Sequence, residues 1–304
     1  MTFRRFNLWV LALLLSTTGA VAAIGYATDV YGVYRPTRGR SMTPLQNERL
    51  FKYLFAYDYI PANFDGLLVG SSVTGNWETA AISDARIYNA SLSGGNATEE
   101  RLIVEKVIEH KCPSLALFSI QPYLTETVGK KTVFMEESQR WAGLGSLQVF
   151  KAYFIRWQEA HGRRRREFSP SGQDDYDPAM FNRALRAKEE TSGDFVVQAG
   201  ALADYGAMVA AARRCGAQVV AFIPPIEKDF WDLRPDAYRR YFATVRGFFK
   251  PQEPVIDMND PDLAAFRADS NNFTDGIHVS RSGAQQLVGY LDQRLHALGI
   301  LRHR

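Results

Sequence analysis

The stretch Gly66-Leu67-Leu68-Val69-Gly70-Ser71-Ser72 decides the fold, because it joins an apolar run directly to three small residues. A short apolar run bounded by turn-forming residues is typical of a buried β-strand that ends in a sharp turn. In open α/β sheets, ligands bind outside the carboxyl ends of the strands. A serine at the start of the following helix exposes its hydroxyl beside backbone N–H groups that can receive an oxyanion. The alternative is an ordinary turn with a helix cap, so this stretch alone assigns no role to Ser72.

Four further apolar runs predict strands of the same kind, and helical patterns separate most of them. These runs are residues 86–88, 115–118, 219–222 and 254–256. Residues 97–110 are predicted as a helix because Asn96 is a good N-cap and acidic residues follow it. A second predicted helix, residues 195–214, ends before Gly216. Strands that alternate with helices predict an α/β fold with a central parallel sheet of about five strands, covered on both faces.

The alternation breaks over residues 124–194, which are polar and aromatic. We predict an insertion here, a lid or acceptor-binding region within a domain that spans residues 45–300. Its arginine run, residues 163–166, is interpreted as a solvated loop, because no aromatic residues interleave with the arginines. The net charge of +3, from 36 basic and 33 acidic residues, does not indicate a nucleic-acid partner.

The first 30 residues are long and apolar enough to cross a membrane. Arg4 and Arg5 precede an uncharged stretch, residues 8–27, and would keep the N-terminus in the cytoplasm. A cleaved signal peptide is the alternative, because Ala20-Val21-Ala22 fits the small-residue cleavage rule. We favour an uncleaved anchor over residues 1–30, followed by a linker over residues 31–44, since the apolar stretch continues beyond the cleavage pattern. Either interpretation places the folded domain outside the cytoplasm, in the periplasm or the extracellular space.

The two cysteines, Cys112 and Cys215, each lie at a predicted junction between a helix and a strand. One disulfide at an edge of the sheet is compatible with an exported domain, and two unpaired thiols are the alternative. No cysteine or histidine cluster has the spacing of metal ligands, so the sequence predicts neither a metal site nor a cofactor.

A second chemical signal lies near the other end, in Phe273-Thr274-Asp275-Gly276-Ile277-His278. An acylating serine needs a base to take its proton, and the base needs a carboxylate to hold its tautomer. Asp275 and His278, three residues apart in a loop, can supply both groups. The alternative interpretation is a turn residue and a helix-entry residue.

Together, the two signals and the β/α pattern between them resemble the SGNH (GDSL-like) hydrolase superfamily over residues 64–124 and 195–298. The resemblance implies a three-layer, flavodoxin-like sheet and a catalytic triad of Ser72, Asp275 and His278. The first family motif reads Gly-Asp-Ser, where this chain has Ser71 in place of the aspartate. The second motif matches Asn89-Ala90-Ser91-Leu92-Ser93-Gly94, which implies that the N–H groups of Ser72 and Gly94 form an oxyanion hole.

The third family motif, Gly-x-Asn-Asp, is replaced by Ser119-Ile120-Gln121-Pro122. Gln121 stands at the asparagine position, so the resemblance implies that its side-chain N–H is the third oxyanion donor. The anchor, the Gly-Ser-Ser motif and this glutamine are similar to the D-alanyl-transfer proteins of teichoic acid modification and, more loosely, to SGNH-like proteins of exopolysaccharide O-acetylation.

This resemblance implies an extracytoplasmic serine esterase or O-acyltransferase that acts on acyl groups of a cell-envelope polysaccharide or polymer. The expected partners are that acylated polymer, the membrane and a multispanning membrane acyltransferase. The alternative is a non-catalytic, membrane-anchored scaffold or binding protein that keeps the fold, since two family motif residues are replaced.

Overall fold

The structure is a computed structural model that describes residues 2–29, 33–34, 47–129, 134–162, 168–174, 176, 180–190 and 193–302. The predicted linker, apart from residues 33–34, and the arginine run 163–166 lie outside the described residues. The described residues form α-helices and β-strands that alternate through most of the chain. In chain order they are α1 (Phe3–Thr28), α2 (Glu48–Phe55), α3 (Tyr59–Asn63), β1 (Gly66–Val69), α4 (Ser72–Gly75), β2 (Ile87–Asn89), α5 (Ala97–His110), β3 (Leu115–Ser119), α6 (Ser138–Ala142), α7 (Leu147–Ala160), α8 (Arg183–Glu190), α9 (Ala199–Cys215), β4 (Gln218–Ile223), α10 (Lys228–Leu233), α11 (Pro235–Arg246), β5 (Val255–Asp257), α12 (Ala264–Ala268) and α13 (Arg281–Ala297).

The five strands form one sheet in the order β2-β1-β3-β4-β5, and every neighbouring pair is parallel. The predicted α/β fold with about five parallel strands is therefore confirmed. Each predicted strand is present, with bounds that shift by no more than one residue at either end. The strands were predictable because apolar runs of this length are buried on both faces of a parallel sheet.

Alternate side chains of β1 enter different layers, which makes the fold three layers thick. Leu67 and Val69 pack in the larger core, with residues of α2, α3, α5, α9 and α11. Leu68 packs in the second core, largely against α12 and α13. Since side chains of a strand point alternately to opposite faces, both faces of the sheet are covered by helices.

A disulfide joins Cys112, just after α5, to Cys215, the last residue of α9. Both helices lead directly into neighbouring strands, β3 and β4, so the bond lies at the amino-terminal edge of the sheet, opposite the end where Ser72 lies. Of the two alternatives that the sequence left open, a disulfide and two unpaired thiols, the structure has the disulfide.

The helix α1 is 26 residues long and contains a window of mean hydropathy 2.0, enough by length and composition to cross a membrane. Nearly all of its side chains are exposed, as expected of a helix that has no protein core around it.

Candidate active site

Ser72 lies where β1 ends, as the first residue of the short helix α4. The side chain of Ser71 caps this helix by accepting a hydrogen bond from the N–H of Val73. Asn89, at the end of β2, donates its side-chain N–H groups to the carbonyl oxygens of Thr74 and Trp77 at 2.8 and 2.9 Å. The turn that carries Ser72 is therefore held from both sides by buried polar groups.

The loop before α13, which carries Asp275 and His278, is a tight turn whose two ends are hydrogen-bonded to each other. Phe273 and Val279 form an antiparallel bridge, and the N–H of Thr274 donates to the carbonyl of His278 at 2.7 Å. Gly276 has a φ of +96°, which an L side chain rarely adopts, and a Cβ there would lie 2.4 Å from the ring of Phe230. This glycine is required for Asp275 and His278 to face each other.

The structure brings Ser72, His278 and Asp275 together in one hydrogen-bonded chain. Ser72 Oγ lies 2.8 Å from His278 Nε2, and His278 Nδ1 lies 2.9 Å from Asp275 Oδ2. Asp275 Oδ1 also accepts from the backbone N–H of His278 at 2.8 Å. Asp275 and His278 are 1% and 2% exposed. A carboxylate at Nδ1 favours the tautomer whose Nε2 accepts a proton from the serine.

Burial alone would raise the pKa of Asp275. The hydrogen bonds and charge of His278, together with the charge of Arg186, outweigh burial and hold this pKa below its ordinary value. Asp275 therefore remains a carboxylate throughout the neutral range, which is the form that can orient an imidazole and stabilise an imidazolium.

Gly94 lines the cleft that contains Ser72, and it has a φ of +57°. Arg49, on α2, donates to the carbonyl oxygens of Ser93 and Gly94 at 3.1 and 2.8 Å. The Ser93–Gly94 peptide bond is trans, so its C=O and N–H point in opposite directions. Because Arg49 holds the Ser93 carbonyl, the N–H of Gly94 is directed away from Arg49.

Arg49 is itself fixed by Glu99, whose carboxylate accepts from its Nε at 2.7 Å. Lys52, one turn further along α2, is fully buried and pairs with Glu48 at 3.2 Å. These ion pairs place a rigid charged layer beneath the loop that contains Gly94.

Gln121 follows β3 but does not reach the cleft, which differs from its predicted role as an oxyanion donor. Its side chain is 2% exposed, and its oxygen accepts a hydrogen bond from Ser71 Oγ. Its amide nitrogen contacts the hydroxyls of Ser119 and Thr74. The longer glutamine side chain folds beneath the turn that carries Ser72, where the hydroxyl of Ser71 donates to it as an aspartate carboxylate could not.

The residues that cover His278 and Asp275 come from the predicted insertion, and sequence reasoning missed them. The ring of Phe181 lies 4.1 Å from the ring of His278, centroid to centroid. Arg186 Nε lies 3.5 Å from Asp275 Oδ2. Arg183 forms two hydrogen bonds of 2.5 Å with Glu227, whose N–H donates to the carbonyl of Gly276 at 2.9 Å. The sequence feature that could have identified them is the three-residue spacing of Arg183 and Arg186, which places both side chains on one face of a helix.

Two spaces lie near Ser72, which lines the first of them and not the second. The first is a cleft of about 290 Å³, lined mainly by Ser72, His278, Gly94, Asn96, Glu126 and Arg186. The second is a small apolar cavity of about 20 Å³ that shares Val73, Tyr123 and Ile277 with the cleft. A cavity of this size holds one methyl-sized group.

The strand order, with a serine after the first strand and an Asp-x-x-His loop before the last described helix, resembles the SGNH-like arrangement expected from the sequence. No protein-family model and no curated protein matches the chain. Among solved structures, a proposed platelet activating factor from Streptococcus pneumonia is similar at 12% identity and a TM-score of 0.44, over 82% of this chain and 91% of that one. TesA is similar at 14% identity and a TM-score of 0.41, over 77% of this chain and 98% of that one.

Proposed function

We propose that the chain is an extracytoplasmic serine esterase or O-acyltransferase that acts on acyl groups of a cell-envelope polysaccharide or polymer. The observation that carries this proposal is the continuous hydrogen-bonded chain from Ser72 through His278 to Asp275, open to a cleft on the serine side. A serine, an imidazole and a carboxylate in this order are the groups that acyl transfer through a covalent intermediate requires.

In the first half-reaction, Ser72 Oγ attacks the acyl carbonyl while His278 Nε2 takes the hydroxyl proton. The N–H groups of Ser72 and Gly94 donate to the oxyanion of the tetrahedral intermediate. The intermediate collapses, the C–O bond to the alcohol breaks, and His278 returns its proton to the leaving oxygen. Water or a sugar hydroxyl then attacks the acyl-serine by the same steps in reverse order, which releases an acid or a new ester.

The apolar cavity beside Val73 and Ile277 supports a short, uncharged acyl group such as acetyl, because its lining offers no acidic partner for an ammonium. The cleft, with Glu126 and Arg186 in its wall, supports a polar acceptor. These two features are the reason for proposing an acylated polysaccharide or similar polymer as substrate.

The proposed location is the outer side of the cytoplasmic membrane, with α1 as the anchor. The long apolar helix and the disulfide both support export of the domain. A multispanning membrane acyltransferase is the proposed partner, because an anchored transferase needs a source of acyl groups that the described residues do not themselves supply.

The test is labelling of the full-length, detergent-solubilised chain by a fluorophosphonate probe, which reacts with activated serines. We expect labelling of the wild type, no labelling of Ser72→Ala, and strongly reduced labelling of His278→Ala. Ser83→Ala, a change at an exposed serine, is the matched control and should label like the wild type. A folded wild type that is not labelled would contradict this mechanism and favour the non-catalytic scaffold.

A further inference from the structure

Helix α7 is apolar on two opposite faces. Its inner face, with Val149, Ala152 and Ile155, is buried against α2 and Val33. Its outer side chains are exposed and follow each other at intervals of three, four and three residues, which places them on one side of the helix. This outer set, named the α7 face below, comprises Leu147 (82% exposed), Phe150, Phe154 and Trp157 (57% exposed).

An exposed row of large apolar side chains costs free energy in water and marks a surface that is covered in the working protein. A helix that is apolar on all sides is normally buried all round. The rings of Phe154 and Trp157 stack with centroids 5.8 Å apart, so the α7 face presents a continuous aromatic surface.

The position of α1 indicates what covers this face. The loop before α7 lies against the last turns of α1 so closely that a Cβ on Gly25 would be 2.1 Å from the carbonyl oxygen of Leu144. A Cβ on Gly145 would be 2.6 Å from Val21. Thr28 Oγ1 and the hydroxyl of Tyr153, on α7 itself, lie 2.5 Å apart. Helix α7 is thus held beside the carboxyl-terminal end of the apolar helix.

The depth of these contacts follows from helix geometry. Val21 lies seven residues before Thr28, which at about 1.5 Å per residue places it about 10 Å deeper along α1. A helix of 26 residues is about 39 Å long, against a hydrocarbon layer of about 30 Å. The segment that touches Val21 therefore lies at the level where hydrocarbon meets lipid headgroups. Trp141 and Trp157, both exposed, are the residue type enriched at this level.

We propose that the α7 face lies in the outer interfacial layer of the bilayer that α1 spans, and forms a second membrane contact of the domain. This inference rests on the membrane attachment proposed above but not on the catalytic mechanism. Lys151, exposed on the same helix, adds attraction to anionic lipid headgroups.

The test uses the full-length chain in nanodiscs of phosphatidylethanolamine and phosphatidylglycerol. A nitroxide is attached to Leu147→Cys or Phe154→Cys, two exposed sites at which the change leaves the core intact. Both native cysteines are joined in the disulfide and do not compete for the label. Arg239→Cys, on the exposed surface of α11, is the matched control. The rate at which the nitroxide collides with oxygen, which concentrates in lipid, is compared with the rate at which it collides with a water-soluble nickel chelate.

We expect oxygen collisions to exceed nickel collisions several-fold at both α7 sites, and the reverse at residue 239. Nickel access at both α7 sites, in nanodiscs that contain lipid and no other protein, would overturn the proposal and leave the α7 face to a protein partner. A nitroxide at Leu14→Cys, within α1, distinguishes a failure of the proposed α7 contact from a failure of the proposed membrane anchor. Nickel access at residue 14 would show that the anchor itself is wrong.

Discussion

Ser71 and Gln121 are two of the positions at which the chain departs from the family motifs it resembles, and they are hydrogen-bonded to each other. Ser71 stands where the family motif has an aspartate, and Gln121 stands where it has an asparagine. The hydroxyl of Ser71 donates a hydrogen bond to the side-chain oxygen of Gln121. The two departures are therefore one structural change, a neutral buried network beneath Ser72 that also includes the hydroxyls of Ser119 and Thr74. Such networks fix one geometry when every member is satisfied.

At the same scale, Arg49 holds the carbonyl oxygens of Ser93 and Gly94, and so the direction of the N–H that we propose as an oxyanion donor. Arg49→Met should lower the rate constant of fluorophosphonate labelling by roughly 10- to 100-fold, because the N–H of Gly94 loses its fixed direction. Arg49→Lys should recover only part of the rate, since an ammonium cannot hold two carbonyls and Glu99 in the same fork geometry.

The control for this prediction is Arg101→Met on α5, which removes an ion pair with Asp204 away from the cleft. Unchanged labelling of Arg49→Met would show that the loop holds Gly94 without the arginine.

At the scale of elements, the sequence predicted the sheet well and the insertion poorly. The strands and α5 were predictable because their signals are local: short apolar runs and the capping box at Asn96 and Glu99. Ser72, Asp275 and His278 were singled out because their two motifs, in this order along the β/α pattern, resemble those of the SGNH superfamily. The contacts of α8 were not predictable, since they depend on how the insertion folds back over the triad, and no periodicity encodes that path.

Helix α8 is coupled to the loop of Asp275 and His278 through the pair of Arg183 and Glu227. Glu227→Gln should weaken this pair, loosen α8 and reduce the labelling rate a few-fold, because Phe181 and Arg186 then cover the triad less firmly. Amide hydrogen exchange of residues 183–190 should become faster in the same variant.

Asp232→Asn breaks an exposed ion pair with Lys228 and is the matched control for this prediction. If hydrogen exchange in α8 were equal in Glu227→Gln and the wild type, the coupling between α8 and the loop of Asp275 and His278 would be refuted.

At the scale of the whole molecule, stability depends on a charged layer inside the core. Glu100 is fully buried next to the ion pairs of Arg49 with Glu99 and of Lys52 with Glu48. Burial raises the pKa of Glu100 well above the ordinary value of 4.5. Folding therefore favours the protonated acid, and the wild type loses stability as the pH rises from the unfolded-state pKa towards the folded-state pKa.

Glu100→Gln mimics the protonated acid at every pH. We expect this variant to unfold at a higher temperature than the wild type at pH 8, with a gain in unfolding free energy of at least about 1 kcal/mol. The gain should shrink as the pH falls towards about 4.5, where the glutamate of the unfolded chain is also protonated. Thermal unfolding followed by circular dichroism measures both values.

Glu105→Gln, on the partly exposed side of the same helix, is the control and should show no such pH-dependent gain. A Glu100→Gln variant that is less stable than the wild type at pH 8 would mean that the buried group is ionised.

The disulfide encloses residues 112–215 in a covalent ring, and the whole insertion lies inside that ring. In a ring this large, adding ten residues changes the closure entropy by less than about 0.2 kcal/mol. A protease that cuts within the ring also leaves the two halves of the sheet joined. A change in the length of the insertion therefore adds little to the entropy of closing the ring, and Ser72 and His278 lie outside the ring. A change in the insertion therefore reaches Ser72 and His278 through the contacts of α8, and hardly at all through the closure of the ring.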